Sequence, residues 1–228
     1  MTTVAMIGAS GVVGARAAHH LLSRKDVGRL VSLGRRPAPL QHDKLESRVV
    51  DLQSSSALGA ELPDTLGVAI SCIGTTMKKA GSRAAFRAVD HDAVLAFGEA
   101  ARSKGARRFL LVSALGANAR SSNFYLQTKG QAEEALALLG FPQLTVLRPS
   151  LIDDEGARSE HRFGERLALP LSRALFSVIG KAHRYAPISA DSIARALVQL
   201  AFDETAERVR IVESDRLHEL ARAATPAA

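Results

Sequence analysis

The chain alternates short apolar runs with stretches in which apolar residues recur every three to four positions. Apolar runs are typical of strands buried on both faces of a sheet, and the three-to-four spacing is typical of helices. The predicted strands cover residues 4–7, 29–33, 48–52, 67–73, 109–112 and 144–147, and the predicted helices cover residues 12–22, 82–103 and 125–139. This alternation predicts right-handed crossovers and an α/β architecture, a doubly wound parallel sheet of the Rossmann type.

The last third of the chain has a different pattern. Residues 155–162 are polar and predict a loop, whereas residues 163–179 are amphipathic. Residues 190–202 predict a helix, residues 209–212 a short strand, and Ser214 the start of a final helix. No low-complexity linker separates this part from the rest. The sequence therefore predicts a single domain over residues 1–228, with residues 153–228 forming a small C-terminal lobe packed on the sheet.

Composition is that of an ordinary globular protein, with 46% apolar and 23% charged residues. The net charge of +7 is scattered along the chain and the only aromatic residues are two Tyr and eight Phe, so we expect no nucleic-acid partner. No run of 18 uncharged apolar residues is present, so no membrane span is expected. The single cysteine and the lack of a secretory signal predict a reduced, cytoplasmic setting, and the dispersed histidines predict no metal site.

Three glycines with the spacing Gly-x-x-Gly-x-x-Gly lie between the first predicted strand and the first predicted helix. The first glycine allows a sharp turn, the second lets a pyrophosphate approach the backbone, and the third lets the helix lie close to the sheet. The amides at the start of the helix would then face the phosphates. The alternative is a tight turn without a ligand, but the position between strand and helix favours a dinucleotide site. The predicted phosphate-binding residues are Gly8, Ala9, Ser10, Gly11, Val12, Val13 and Gly14.

The end of the second predicted strand indicates which dinucleotide binds. Sites that prefer NAD usually place an acid there, but this chain has Arg35 and Arg36 and no acid before Asp43. Two guanidinium groups can pair with a 2′-phosphate, so the sequence favours NADP; a solvated basic pair is the alternative. Asp51 and Leu52, at the end of the third predicted strand, are expected beside the adenine, although Asp51 is equally well explained as a loop carboxylate.

Tyr125 and Lys129 have the spacing Tyr-x-x-x-Lys, which places both side chains on one face of a helix. A phenol has a pKa of about 10, and a nearby ammonium lowers that pKa toward the range useful for proton transfer. Ser113, at the end of the fifth predicted strand, is expected to donate a hydrogen bond to the same substrate oxygen. These three residues are the predicted catalytic set, and an ordinary pair on a surface helix is the alternative.

Together, the glycine turn, Ser113 and the block from Tyr125 to Glu133 resemble the atypical short-chain dehydrogenase/reductases. The resemblance is closest to the Tat-interacting-protein-like subgroup with its NAD(P)-binding domain, and it covers residues 3–152 well and the rest loosely. Two further stretches fit that subgroup, Cys-Ile-Gly-Thr-Thr at residues 72–76 and Leu-Arg-Pro-Ser at residues 147–150.

This resemblance implies further contacts with the coenzyme. It implies that Lys129 bonds the ribose hydroxyls. Asp90 stands where many family members have an asparagine, so an asparagine-supported proton relay does not carry over to this chain. The residues implied to line the nicotinamide ribose are Ile73, Gly74 and Thr75, and those implied to pass the nicotinamide ring are Pro149, Ser150 and Leu151.

The leading functional hypothesis is an NADP-dependent oxidoreductase that acts on a small carbonyl or alcohol. An NADPH-binding regulatory or redox-sensing protein with little turnover is the rival hypothesis, and an isomerase or epimerase with a tightly held coenzyme would use the same residues. The expected partner is a small-molecule carbonyl or alcohol, and the chain is expected to be a monomer or a homodimer.

Overall fold

The computed structural model describes residues 1–153 and 184–223. The first half of the chain forms β1 (Thr2–Ile7), α1 (Val12–Leu22), β2 (Val27–Gly34), β3 (Leu45–Val49), α2 (Ser55–Glu61), β4 (Val68–Ser71), α3 (Met77–Ala80) and α4 (Arg83–Arg87). A π-helical turn (Ala88–Asp92), α5 (Ala93–Ser103), β5 (Arg108–Val112), α6 (Phe124–Leu138), β6 (Gln143–Arg148) and β7 (Ile152–Asp153) follow. The described C-terminal part contains β8 (Ile188–Ser189), α7 (Ala190–Phe202), β9 (Val209–Glu213) and α8 (Ser214–Ala223).

Seven strands form one parallel sheet in the order β3-β2-β1-β4-β5-β6-β9. The strand order reverses direction between β1 and β4, so the carboxyl ends of these two strands form the crevice in which ligands of open α/β sheets bind. A separate two-stranded ladder joins β7 and β8. The doubly wound parallel sheet predicted from the sequence is confirmed.

Both faces of the sheet are covered, and β1 shows why its sequence is almost continuously apolar. Val4 and Met6 point into one core with α1 and α7, whereas Ala5 and Ile7 point into the other core with α2 and α5. All four side chains are fully buried. A strand covered on both sides therefore has no solvent face on which polar residues would alternate.

The predicted strand at residues 48–52 is wrong in position, because β3 occupies Leu45–Val49. This edge strand carries two charged residues, Glu46 and Arg48, which mask the apolar pattern. Glu46 accepts hydrogen bonds from Arg29 on β2 at 2.5 and 2.7 Å and from Arg48 at 2.7 Å. The arginines lower the pKa of Glu46 to about 2, so the carboxylate stays charged between the strands. Helices α2 and α3 are absent from the sequence-based prediction.

The helix predicted over residues 82–103 is interrupted by a π-helical turn. The turn lies between α4 and α5, and it directs Asp90 and His91 into the protein. Turns of this kind occur frequently at functional sites because the extra residue re-aims the neighbouring side chains. The chain leaves α5 at Gly105, whose φ of 80° lies in the left-handed region that favours glycine at a helix end.

The described part of the predicted C-terminal lobe adds to the main sheet and one of its faces. Strand β9 pairs with β6, and α7 packs on α1, where His20 and Asp191 form a 2.8 Å contact. The predicted loop at 155–162 and the amphipathic stretch at 163–179 lie outside the described residues. The lobe as a whole therefore stays a prediction. Within residues 1–153 and 184–223, no helix has the length and apolarity that a membrane span requires.

Replacing Gly130 with alanine tests how closely α6 packs on the loop that precedes it. A Cβ atom at this position would lie 2.2 Å from the Ala119 nitrogen and 2.3 Å from the Asn118 carbonyl carbon. Because these are backbone atoms, we expect Gly130→Ala to lower the free energy of unfolding by about 3 kcal/mol.

The matched control is Gly59→Ala in the middle of α2, where a Cβ would meet nothing within 4 Å. Alanine is the better helix former there, so this variant should gain about 0.5–1 kcal/mol. Urea unfolding measures both variants. Equal stabilities for the two variants would contradict the close packing of α6.

Candidate active site

The turn between β1 and α1 is a compact backbone cradle at the carboxyl edge of the sheet. Gly8 has a φ of 89°, and a Cβ on it would lie 2.6 Å from the carbonyl carbon of Cys72. A Cβ on Gly14 would lie 2.1 Å from the Gly8 oxygen, and the Gly11 amide donates to that same oxygen at 2.9 Å. Side chains at Gly8 or Gly14 would therefore break the turn and its contact with the end of β4.

The start of α1 has no side-chain cap from its N-cap residue. Its first residue is Val12, the preceding Gly11 supplies no side-chain cap, and its first turn contains no acid. Helices α2, α3, α4, α6 and α7, in contrast, are each capped by a Ser, Thr or Asn side chain. A helix start with a positive dipole, no side-chain cap and no acid in its first turn fits the diphosphate of a dinucleotide. The predicted phosphate-binding residues thus lie together at the sheet's switch point.

Arg35 and Arg36 follow β2 at the same edge, and both are exposed. Neither guanidinium forms a hydrogen bond or an ion pair with any residue in the described part of the chain, so their donors are open to an anionic ligand. Asp51 is exposed and accepts from the Gln53 amide at 3.0 Å, which fits its interpretation as a turn residue. The Leu52 side chain packs in the core and is not presented to a ligand.

The loop after β4 is tied to α6 through a buried carboxylate. The Thr75 amide donates to Asp90 Oδ2 at 2.8 Å, and Lys129 Nζ donates to Asp90 Oδ1 at 3.2 Å. Lys129 also donates to the carbonyl of Val112, the last residue of β5, at 3.3 Å. The Asp90 and Lys129 side chains are only 2% and 5% exposed. Burial raises the pKa of Asp90, although Lys129 and the Thr75 amide act in the opposite direction.

Tyr125 lies at the surface end of the same helical face. Helix α6 begins after Asn123, whose side chain accepts from the Leu126 amide at 3.2 Å. Tyr125 is therefore in the first turn, 37% exposed, while Lys129 one turn later points inward. The Phe86 ring packs against Tyr125 with 5.6 Å between ring centroids. The helix thus presents a phenol at the rim and an ammonium below it.

Ser113 lies at the end of β5 as expected, but its hydrogen bond differs from the prediction. Its hydroxyl donates to Glu133, which stands one helical turn beyond Lys129 on α6. Arg148 donates to both Glu133 oxygens, at 3.2 and 2.5 Å, and these bonds raise the pKa of Arg148. The Ser113 proton is directed to Glu133, so the expectation that it points to a substrate oxygen is not met in this structure.

Glu133 was assigned no role from the sequence, although it continues the spacing of Tyr125 and Lys129 by another four residues. That spacing places all three side chains along one face of α6. The signal was present, but the partner of Glu133 depends on where the ends of β5 and β6 lie.

The segment after β6 connects the two sides of the candidate site. The Pro149 carbonyl accepts from the Leu115 amide at 2.8 Å, next to the end of β5. The Ser150 hydroxyl donates to the Ala186 carbonyl, and the Leu151 carbonyl accepts from the first amide of β8 at 3.0 Å. The three residues therefore follow the carboxyl edge of the sheet, where the family resemblance implies contact with the nicotinamide.

Cys72 directly follows β4, next to the glycine turn. Burial raises the pKa of its thiol to about 12, so the group stays protonated and unreactive at neutral pH. In the part of the chain that the structure describes, no group of three or more His, Cys, Asp and Glu residues could hold a metal ion.

Comparison with known proteins assigns the chain to a family. A family model described as NAD(P)H-binding matches residues 8–204. The FMP52 protein of Eremothecium gossypii is 30% identical, over 95% of this chain and 96% of its own length. The fmp52 protein of Aspergillus fumigatus is 35% identical over 87% of this chain and 86% of its length. The HTATIP2 protein of Rattus norvegicus is 34% identical over 73% of this chain and 68% of its length.

The names of the two fungal relatives describe them as mitochondrial proteins. The expectation of a cytoplasmic location is therefore wrong. It rested on the single cysteine and the lack of a secretory signal, neither of which distinguishes the cytosol from another reducing compartment.

Solved structures agree on the fold. The oxidoreductase ylbE from Lactococcus lactis has a TM-score of 0.67 at 15% identity, with 100% of both chains covered. The Bordetella bronchiseptica enzyme WbmH, solved in complex with NAD+, has a TM-score of 0.68 at 16% identity, with 100% of this chain and 83% of WbmH covered. Together with the family model and the HTATIP2 relative, these matches show that the chain belongs to the NAD(P)H-binding family and resembles the Tat-interacting-protein-like atypical short-chain dehydrogenase/reductases.

Proposed function

We propose that this protein is an NADP-dependent oxidoreductase that transfers a hydride between nicotinamide and a small carbonyl or alcohol. The observation that carries the proposal is the chain of contacts from the Thr75 amide through Asp90 to Lys129. This chain joins the loop implied to contact the nicotinamide ribose to the helix that bears Tyr125. The loop after β4 and Tyr125, the proposed proton donor, are thereby held at one edge of the sheet. Hydride transfer coupled to proton transfer requires such an arrangement.

In this proposal the glycine turn binds the diphosphate through the amides at the start of α1, and the loop after β4 lies against the nicotinamide ribose. The bound coenzyme supplies or accepts the hydride. Ile73, Gly74 and Thr75 would orient the nicotinamide half, and the segment from Pro149 to Leu151 would contact it as well. The chain's own contribution is thus mainly positioning of the two reacting carbons.

Tyr125 handles the proton in the proposed reaction. Its phenol gives a proton to the carbonyl oxygen during reduction and removes it from the alcohol during oxidation. The Lys129 ammonium favours the phenolate over the phenol, and Asp90 holds that ammonium in place while offsetting part of its charge. Ser113, whose proton goes to Glu133, leaves its lone pairs to accept hydrogen bonds. We therefore assign Tyr125 the proton transfer and Ser113 a supporting position beside it.

The Ser113 hydrogen bond also favours a second candidate function. An active site with a single hydroxyl directed at the substrate is a weaker catalyst than one with two. An NADPH-binding regulatory protein with little turnover would need the coenzyme site but not a second hydroxyl. The proposed partner in the first case is a small-molecule carbonyl or alcohol. The monomer or homodimer, and the absence of a nucleic-acid partner, stay predictions in both cases.

The Tyr125→Phe variant tests the oxidoreductase proposal. With a panel of aldehydes and ketones, NADPH consumption by the wild type should depend on the carbonyl added. The variant should lose at least about 100-fold in kcat/KM because it has no proton to give. Its affinity for NADPH should stay within about twofold, since the phenol oxygen makes few of the coenzyme contacts.

The chain's only other tyrosine offers a matched control, because Tyr185 is exposed in the C-terminal part. Tyr185→Phe should keep the wild-type rate. If the wild type consumes no NADPH with any carbonyl although it binds the coenzyme, the regulatory function is favoured instead.

The double variant Arg35→Ala/Arg36→Ala tests the preference for NADP. Both guanidinium groups are exposed and unengaged by described residues, so their removal should affect a bound 2′-phosphate and little else. NADPH binding should weaken about 100-fold, the effect of losing two charge-assisted contacts, while NADH binding changes by less than about twofold. Titration of the variant with both coenzymes measures this. Equal weakening would show that the pair does not bind the 2′-phosphate.

A further inference from the structure

Basic residues predominate in the stretches of chain around Tyr125 and around Phe86, whose ring packs against it. These stretches are residues 73–89, which end one residue before the buried Asp90, and residues 114–132, which end one residue before the buried Glu133. Neither stretch contains an Asp or a Glu. Together they carry six basic residues, namely Lys78, Lys79, Arg83, Arg87, Arg120 and Lys129.

Acids elsewhere in the described chain offset some of this charge. Lys129 is paired with Asp90 inside the protein. Arg87 donates to Gln131 at 2.5 Å and lies 3.8 Å from Asp92. The exposed residues that form no ion pair with any described residue include Lys78, Arg83 and Arg120, which we call the basic rim.

Arg83 is the best positioned member of the basic rim. It is the first residue of α4, and its guanidinium lies 5.1 Å from the centroid of the Phe124 ring. Phe86, three residues later on the same helical face, packs against both Phe124 and Tyr125 with centroid distances of 5.9 and 5.6 Å. Arg83 therefore packs on Phe124, the residue before Tyr125 in α6, and forms no ion pair with an acid in the described part of the chain.

A guanidinium that stacks on an aromatic ring keeps the donors along its edge available for another group. Those edge donors match the two oxygens of a carboxylate or the oxygens of a phosphate. The phosphates of the coenzyme are assigned elsewhere, to the start of α1 and to Arg35 and Arg36 at the ends of β1 and β2. The charge of the basic rim, in contrast to that of Lys129 and Arg87, thus has no counterpart among the described acids or in the proposed coenzyme.

We propose that the basic rim, with Arg83 at its centre, binds an anionic oxygen group on the substrate, so that the natural carbonyl or alcohol is a carboxylate or a phosphate ester. This inference rests on the proposed function of the same site. The aromatic cluster of Phe86, Phe124 and Tyr125 would contact the carbon frame between the anionic group and the reacting oxygen. The positive rim would also attract such a substrate from solution.

A dead-end complex tests the inference without depending on turnover. The protein saturated with NADPH is titrated calorimetrically with 4-(hydroxymethyl)benzoate and with its methyl ester. Because coenzyme and alcohol are both already reduced, no hydride can move. The acid should bind about tenfold more tightly than the ester, as expected for one charge-assisted contact. Raising the salt concentration should weaken binding of the acid and leave the affinity for the ester unchanged, since salt screens exposed charges.

Two matched variants locate the effect. Arg83→Gln keeps a side chain that can pack on Phe124 but removes the charge. It should lower the affinity for the acid about tenfold and change the affinity for the ester by less than about twofold. Arg102→Gln removes the same charge from an exposed residue in the last turn of α5, the turn that leads into the amino end of β5. It should change neither affinity.

Equal binding of acid and ester by the wild type, or no binding of either, would overturn the inference. So would equal losses from Arg83→Gln and Arg102→Gln, because overall charge rather than the basic rim would then be responsible. Repeating the titration with 4-(hydroxymethyl)phenyl phosphate shows whether the basic rim binds a phosphate ester more tightly than a carboxylate. If binding of the acid depends on Arg83 but no carbonyl is turned over, the basic rim is an anion-binding site and the oxidoreductase proposal is wrong.

Discussion

The buried ion pair between Asp90 and Lys129 is the interaction on which the site depends. Either charge alone would be costly at this depth, because removing one partner leaves an uncompensated charge in a poorly solvated place. Together they connect four parts of the fold, since Asp90 also accepts from Thr75 and Lys129 also donates to Val112. The β4 loop, the π-helical turn, α6 and the end of β5 are thereby held as one unit.

The glycine turn places the other half of the site against this unit. Gly8 lies so close to Cys72 that no side chain fits between them, so the β1 turn and the start of the β4 loop touch directly. Only two residues separate Cys72 from Thr75, whose amide donates to Asp90 of the buried ion pair. The glycine turn and α6, to which the proposed function assigns the diphosphate and the proton transfer, are therefore linked through the β4 loop and Asp90.

The sequence predicts those parts of the fold that depend on local pattern. The apolar runs of β1, β4 and β5, the glycine turn and the Tyr-x-x-x-Lys spacing are all readable because burial and helix geometry act on neighbouring residues. The predicted position of the edge strand β3 is wrong because Glu46 pairs with Arg48 on its own strand and with Arg29 on β2. The ion pair between the strands depends on tertiary structure, which the charged residues in the sequence do not reveal by themselves.

In the candidate site, too, some features follow from the local sequence and others depend on tertiary packing. The spacing of Tyr125 and Lys129 indicates a shared helical face, but the inward position of Asp90 depends on a π-helical turn for which the sequence carries no recognised signal. Likewise, Ser113 is found where the strand pattern predicts it, yet its hydrogen bond goes to Glu133 because β5, β6 and α6 meet there. Identities and spacings are local; partners are decided by packing.

In the proposed function, a phosphorylated dinucleotide binds across the carboxyl edge of β1 and β4, with its diphosphate on the amides at the start of α1. Calorimetric titration of the full chain with NADPH tests this most directly. We expect one NADPH to bind saturably to each chain. The absence of saturable heat with either NADPH or NADH at millimolar concentrations would contradict it.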